Sequence, residues 1–224
     1  MERVTHPEGL DSGITPAYNP ASILFAPRKL SRPKMEEKKK IFGFTIGLKI
    51  PYTLHAMKLL LGEEEVQRKV RQLARKISRD LAGQEVLLVG VLKGAFIFMA
   101  DLARRMRSPV KMDFIRLASY GSGTVSSGKV KITKDLETSL KGKEVLIVED
   151  IIDTGVTLQY LFRRLKARKP RSLRTVALLD KPSRRKVRFR PDYVGFTISD
   201  HFVVGYGLDW NEEFRNLPGI YVLK

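Results

Sequence analysis

Residues 145–157 read Val-Leu-Ile-Val-Glu-Asp-Ile-Ile-Asp-Thr-Gly-Val-Thr, and the interpretation of the whole chain starts from this stretch. Its apolar start, Val145–Val148, has the length of a buried strand. Three acids follow, Glu149, Asp150 and Asp153, and a turn of small residues then leads into a helical pattern. Such acids also occur in ordinary solvated loops, but the preceding strand fixes where they point. Because ligands of open α/β sheets bind outside the carboxyl ends of strands, the stretch predicts a site of acids beside a phosphate-binding turn.

Composition excludes several kinds of site. The 224 residues are 43% hydrophobic, enough for one sizeable core, and they include no cysteine. Disulfides, thiol catalysis and cysteine-ligated metals are therefore excluded, and the composition suits a reducing compartment. The three histidines, His6, His55 and His201, are too scattered to indicate a metal cluster. The longest apolar stretch, Ile41–Leu61, is interrupted by charges and proline, so we expect a cytoplasmic protein with no membrane partner.

The formal net charge of +18 suggests either a polyanionic substrate or nucleic acid. The excess is spread along the chain, with +4 on residues 1–56 (nine basic and five acidic residues) and +14 on the remainder. A diffuse excess is weaker support for nucleic-acid binding than a single basic stripe. A nucleic-acid partner is therefore not the favoured prediction.

The first 56 residues differ from the rest in composition. Six of the 11 prolines fall within the first 51 residues, which disfavours regular structure there. We expect residues 1–56 to be a poorly ordered N-terminal extension and residues 57–224 to be one domain. A plain alternative is that translation begins at Met57.

From Glu63 onward, helical and strand patterns alternate. A helix is predicted from Glu63, because apolar residues from Val66 to Leu81 recur at intervals of three and four. The further segments are strands at 85–91, 110–118, 145–148, 173–179, 193–198, 202–206 and 220–223, and helices at 95–106 and 157–168. The Gly- and Ser-rich stretch 119–131 is a hairpin tip, a linker or a mobile lid. This alternation predicts an α/β fold with a parallel sheet, and no G-x-G-x-x-G or P-loop motif is present.

Several ordered motifs carry a resemblance to a known family. They are Leu92-Lys93-Gly94, Asp113–Arg116, Ser119-Tyr120-Gly121, Val148–Gly155, Leu179–Pro182, Pro191–Phe196, Phe202–Asp209 and Phe214–Pro218. Together they resemble the type I phosphoribosyltransferase family, and within it the bacterial hypoxanthine (hypoxanthine-guanine) enzymes. The resemblance runs from about Met57 to Lys224. It implies the type I phosphoribosyltransferase fold, a central and mostly parallel sheet flanked by helices, with a small C-terminal hood and a mobile lid loop.

The resemblance also implies an activity, which is transfer of the 5-phosphoribosyl group of PRPP to N9 of a 6-oxopurine, hypoxanthine and also guanine. The products would be IMP or GMP and diphosphate, in purine salvage, with Mg²⁺ as cofactor. Asp153 would be the catalytic acid or base at the purine N7. Glu149 and Asp150 would hold the ribose hydroxyls and, with Asp209, support Mg²⁺.

The remaining roles follow from the same resemblance. The 5′-phosphate would be held by Thr154, Gly155, Val156 and Thr157. The diphosphate would be held by Lys93 and Gly94, beside a cis peptide at Leu92-Lys93, and by Arg215. Ser119 and Tyr120 would close over the site. The purine would be bound by Lys181, Phe202, Val203 and Asp209, with Lys181 donating to O6.

Two other classes of function remain open at this point. One is an RNA-binding regulator built on the phosphoribosyltransferase fold, which the net charge favours. The other is a structural or interaction protein with an inactive site, against which the complete acid and lysine set argues.

Burial preference alone would place Phe202 and Val203 in the core. His201 and Trp210 depart from the family pattern, and a homodimer or homotetramer is expected from the resemblance.

Overall fold

The structure, a computed structural model, describes residues 57–119 and 130–223. The N-terminal extension predicted at 1–56 lies outside the described residues. So do Tyr120 and most of the Gly- and Ser-rich stretch that was predicted as a lid, a linker or a hairpin tip.

The larger part of the fold is a six-stranded sheet with helices packed on it. In chain order its elements are β2 (Val86–Leu92), α2 (Phe96–Ala103), β3 (Val110–Ser119), β4 (Val130–Lys134), β5 (Glu144–Ile152), α3 (Val156–Lys166), β6 (Ser172–Asp180) and β7 (Tyr193–Thr197). The strand order is β4-β3-β2-β5-β6-β7, and every pair is parallel except β3 with β4. The predicted α/β class with a mostly parallel sheet is confirmed. The antiparallel β3–β4 pair places Ser119 opposite Val130.

The central strands form because their residues are apolar on both faces. In β2 and β5 the stretches Val86–Val91 and Val145–Val148 are buried, as expected for strands covered by helices on each side. Helix α1 (Glu63–Asp80) buries one stripe, including Val66, Val70 and Ile77, and begins with three glutamates that suit the positive end of its dipole.

Some element bounds differ from the predicted ones for local reasons. Helix α2 was predicted to run to Met106, but it ends at Ala103, where the amides of Arg105 and Met106 bond three residues back and tighten the last turn. Strand β8 is only Val203–Val204, shorter than the predicted 202–206. Gly205, Tyr206 and Gly207 all have positive φ, which ends the extended backbone.

The hood is a separate three-stranded antiparallel sheet in the order β1-β9-β8. Its C-terminal strands are β8 and β9 (Ile220–Leu223), but its edge strand β1 (Met57–Leu61) comes from the start of the domain. The small hood expected at the C-terminus is present, and it also includes a strand from the start of the domain. No strand was predicted at 57–61, because three consecutive leucines show no period-two alternation.

A buried polar network joins the hood to the helices of the main sheet. The Tyr206 hydroxyl donates to the carboxylate of Asp101 on α2 at 2.6 Å, and Gln67 of α1 donates to the same oxygen at 2.8 Å. Burial would raise the pKa of Asp101, but these hydrogen bonds, with those of Arg104 and the charge of Arg105, lower it to about 2. The network fixes the turn after β8 against α2, which follows the Lys93-Gly94 loop. Among the described residues, no helix is long and apolar enough to cross a membrane.

Candidate active site

Glu149 and Asp150 lie within β5 and do not follow it as predicted, whereas Asp153 follows the strand. The strand continues to Ile152, because Ile151 and Ile152 still pair with Leu179 and Asp180 of β6. Glu149 and Asp150 therefore project from the last third of a central strand. The same register places Lys181 beside the last residue of β5, since its backbone N–H donates to the carbonyl of Ile152 at 2.9 Å.

Both carboxylates have raised pKa values. Each residue keeps partial solvent exposure, yet enough protein surrounds the carboxyl groups to disfavour their charged forms. Burial, reinforced by the charge of Asp150, raises the pKa of Glu149 well above its usual value. Burial raises the pKa of Asp150 to about 6, against the opposing effects of its bond from the Ile151 amide and of Arg215. Two adjacent acids whose charged forms are disfavoured suit a ligand that brings positive charge or hydroxyl donors.

This arrangement predicts a stability effect that depends on pH. Above the ordinary glutamate pKa of 4.5, the unfolded chain loses the Glu149 proton while the folded protein retains it, so folding stability falls as pH rises. Glu149→Gln removes this loss. We expect the ligand-free variant to be more stable by about 1–2 kcal/mol at about pH 8, with a smaller gain at about pH 5.

Thermal and urea unfolding at both pH values measure this gain. Glu137→Gln is the control, because Glu137 is highly exposed and its ion pair with Lys134 involves none of the predicted site residues. A gain that is equal at both pH values would contradict the assigned cause.

The Lys93-Gly94 loop lies directly against these acids. The Leu92–Lys93 peptide is cis, as the resemblance implies. A side chain at Gly94 would overlap the carboxylate of Asp150, and one at Gly207 would overlap the carbonyl of Gly94. The close approach of these backbones links β2, β5 and the turn after β8 into one wall of the site.

The predicted phosphate-binding turn follows β5. Gly155 has φ +78°, a left-handed conformation that favours glycine, and it precedes α3 as its N-cap without any side-chain cap. The N–H of Val156, the first residue of α3, donates to the Thr154 hydroxyl at 3.4 Å, and the next first-turn N–H groups, of Thr157 and Leu158, are available to an anion. A cavity of about 170 Å³ is lined here by Glu149, Ile151, Ile152, Asp153, Thr154, Gly155, Thr157 and Leu158.

Asp153 is held by two arginines of the basic run that follows Pro182. Its carboxylate accepts from Arg184 Nε at 3.0 Å, and its backbone carbonyl accepts from Arg185 at 2.7 Å. Arg184 also pairs with Asp200 at 3.3 Å, and Asp200 lies 3.9 Å from the amino group of Lys181. The run of basic residues after Pro182 was the available signal, but nothing in it shows which arginine reaches back to the loop.

The predicted base-binding residues differ in burial. Lys181 is 7% exposed and Val203 is buried in β8. Phe202 is 48% exposed, so the burial expectation is wrong for it, because it precedes the strand and lies outside the hood sheet. Its ring lies edge-on to Trp210, with the ring centroids 5.1 Å apart. An exposed aromatic face of this kind suits stacking of a flat ring.

Arg215 and Asp209 come together in the turn after β8. Arg215 donates to the carbonyl of Gly207 at 2.7 Å and lies 2.8 Å from a carboxylate oxygen of Asp209. Its Nε is buried and has no hydrogen-bond partner among the described residues. Glu212, which was not predicted, pairs with Arg215 at 3.3 Å and with Lys93 at 2.7 Å.

The structure brings most of the predicted site residues to one face, with two exceptions. Ser119 ends β3, but its side chain and Tyr120 lie outside the described part. In ranges 57–119 and 130–223, no three acidic or histidine side chains group closely enough to hold a metal. Mg²⁺ nevertheless fits the donors, because it is usually bound by one or two carboxylates together with substrate phosphates.

Comparison with known proteins identifies relatives of the chain. The phosphoribosyl transferase domain family matches residues 60–211. The hypoxanthine-guanine phosphoribosyltransferase of Bacillus subtilis (strain 168) is 52% identical over 167 residues, which cover 75% of this chain and 93% of that protein. A crystal structure of a hypoxanthine phosphoribosyltransferase from Staphylococcus aureus superposes with a TM-score of 0.72 at 47% identity, covering 75% of this chain and 91% of that one. None of these comparisons supports the RNA-binding alternative.

Other relatives are longer than this chain. The bifunctional protein TilS/HprT of Listeria monocytogenes (serotype 4b, strain F2365) is 48% identical over 199 residues, covering 88% of this chain. The chain spans 30% of the length of that relative. Residues 57–224 number 168 and make up 75% of the chain, so this match includes part of residues 1–56.

Proposed function

This chain belongs to the phosphoribosyltransferase family, among the hypoxanthine-guanine phosphoribosyltransferases, and from that premise we propose that it transfers the 5-phosphoribosyl group of PRPP to N9 of hypoxanthine or guanine. The observation that carries the proposal is the meeting of three separated motifs at the carboxyl ends of adjacent strands. Lys93-Gly94 follows β2, Asp150 lies near the end of β5 with Asp153 just after it, and Lys181 follows β6. This is the edge at which parallel sheets bind ligands.

The proposed reaction forms the bond from C1′ to N9 and breaks the bond from C1′ to the diphosphate oxygen, which leaves with the electron pair. Lys93 and Arg215 stabilise the negative charge that develops on the leaving group. The proton at the purine N7 passes to the carboxylate of Asp153. Lys181 donates to O6, which disfavours adenine because its 6-amino group is also a donor.

Mg²⁺ is the proposed cofactor, and it would supply positive charge to the diphosphate when bound. Glu149, Asp150 and Asp209 are the residues that would support it, since hard cations prefer oxygen ligands. The raised pKa values of Glu149 and Asp150 favour this assignment, because a nearby cation would relieve their mutual repulsion.

The test is nucleotide formation from PRPP and Mg²⁺ with hypoxanthine, guanine and xanthine offered separately, and with adenine as the excluded base. Formation of IMP or GMP, with diphosphate as co-product, is the expected result. No nucleotide from any 6-oxopurine would overturn the proposal. A preference for adenine would overturn the role given to Lys181.

We also propose that residues 57–224 form the phosphoribosyltransferase domain and that residues 1–56 are a separate N-terminal extension. Strand β1 begins at Met57 and pairs with β9. A protein beginning at Met57 is therefore expected to fold and to retain turnover, whereas one beginning at Gly62 lacks β1 and is expected to unfold at lower temperature. Turnover and melting temperature measure both, and an inactive protein from Met57 would contradict the division.

The proposal extends to assembly and location. We propose a homodimer or homotetramer that acts in the cytoplasm. The family relationship supports the assembly, and the absence of cysteine supports the location. Light scattering of the full chain tests the assembly, and a monomer at micromolar concentration would overturn it.

A further inference from the structure

A tight turn in the hood presents Glu212 to the wall of the site. Trp210 and Glu213 exchange backbone hydrogen bonds of 3.3 and 3.0 Å, and Asp209 accepts the N–H of Glu212 at 2.9 Å. Asn211 and Glu212 have φ of 51° and 68°, a left-handed conformation uncommon for residues other than glycine. The position of the Glu212 side chain is therefore set by its backbone and by Asp209.

The carboxylate of Glu212 binds the two cations to which the proposed function assigns diphosphate. One of its oxygens lies 2.7 Å from Lys93 Nζ and 3.3 Å from the Arg215 guanidinium. Lys93 and Glu212 are 119 residues apart in the chain, so this contact is made by the tertiary fold. Hydrogen bonds from Lys93 and Arg215 lower the pKa of Glu212, so that it is charged at neutral pH.

A carboxylate oxygen placed between a lysine and an arginine has the charge and acceptor geometry of a diphosphate oxygen. We propose that Glu212 stands in for diphosphate between Lys93 and Arg215, and that it leaves these cations when diphosphate or the diphosphate group of PRPP binds. The inference rests on the proposed function, since it concerns the same site. Glu212 is a positioning residue that keeps both cations in place and competes with the ligand for them.

The competition has a direct consequence for affinity. A diphosphate that binds Lys93 and Arg215 must first displace Glu212 from both of them. The loss of these two ion pairs offsets part of the binding free energy of the diphosphate. Glu212 is 62% exposed, so solvent screens both pairs and the offset is modest. The competition weakens binding of diphosphate and favours its release after transfer.

The test compares Glu212→Gln with Glu213→Gln by calorimetric titration of inorganic diphosphate in the presence of Mg²⁺. Both changes remove one negative charge from the same turn, but Glu213 pairs with neither cation in the described part of the chain. Glu212→Gln is expected to bind diphosphate about threefold to tenfold more tightly than the wild type, and Glu213→Gln to change affinity by less than about twofold. The difference in diphosphate affinity between the two variants should become smaller at high salt, because the ion pairs of Glu212 are exposed and salt screens them.

The outcomes separate this inference from the proposed function. A wild-type protein that binds no diphosphate at all would overturn the proposed function. A wild-type protein that binds diphosphate, with Glu212→Gln equal to it or weaker, would overturn only the role of Glu212. Equal tightening in both variants would also overturn it, because general charge would then be the cause. Unchanged melting temperatures of the two variants establish that each is folded.

Discussion

Replacing Asp153 with Asn is expected to lower turnover by about 10²–10⁴, the usual scale for loss of general acid–base help. The amide keeps the shape of the side chain but cannot take the proton from the purine N7. The Michaelis constant for PRPP is expected to change little, because the 5′-phosphate and diphosphate contacts come from other residues. Steady-state rates with PRPP, Mg²⁺ and hypoxanthine measure both quantities.

The structure supplies a matched control for this variant. Asp135 is also a partly exposed aspartate paired with an arginine, at 2.7 Å from Arg168, whereas Asp153 lies 3.0 Å from Arg184. Asp135→Asn removes a comparable ion pair that involves none of the predicted site residues, and it is expected to leave turnover unchanged. If Asp153→Asn retained turnover within about threefold of the wild type, Asp153 would have no acid–base role.

Gly94→Ala is expected to lower kcat/KM for PRPP by about 10²-fold or more. The added methyl group would overlap the carboxylate of Asp150, and the loop cannot retreat because Gly207 already abuts the Gly94 carbonyl. Either Asp150 or the Lys93-Gly94 loop must move, and a displacement of about 1 Å in positioning groups costs rates of this order. Saturating hypoxanthine with varied PRPP measures the effect.

Gly62→Ala is the control for this change. A methyl group at Gly62 meets nothing within 4 Å, and its φ of −72° is ordinary for alanine. Because Gly62 caps α1, its replacement is expected to cost some stability, about 1 kcal/mol, without altering kcat/KM. Equal losses of kcat/KM in both variants would show that the effect of Gly94→Ala comes from general destabilisation and not from the site.

Local patterns in the sequence were sufficient for the elements around which the site is built. The apolar run Val145–Val148 marks a buried central strand, and the periodic residues from Val66 to Ile77 mark α1, because burial on one or both faces leaves a direct trace in the order of residues. The family motifs likewise pointed to Lys93, Asp153 and Lys181. The strand register then brought all three to one edge, as parallel topology requires.

The contacts that complete the site could not be obtained in this way, because they join segments far apart in the chain. Strand β1 pairs with β9 across the whole domain, Arg184 reaches back 31 residues to Asp153, and Glu212 meets Lys93 across 119 residues. Charge and periodicity reflect the residues that are close in sequence. They contain no information on which distant segment of the backbone will pack against a given residue. The stretch 145–157 therefore predicted an acidic strand end beside a phosphate-binding turn. The tertiary structure decided its neighbours, since Gly94 packs against the carboxylate of Asp150 and Gly207 packs against the carbonyl of Gly94.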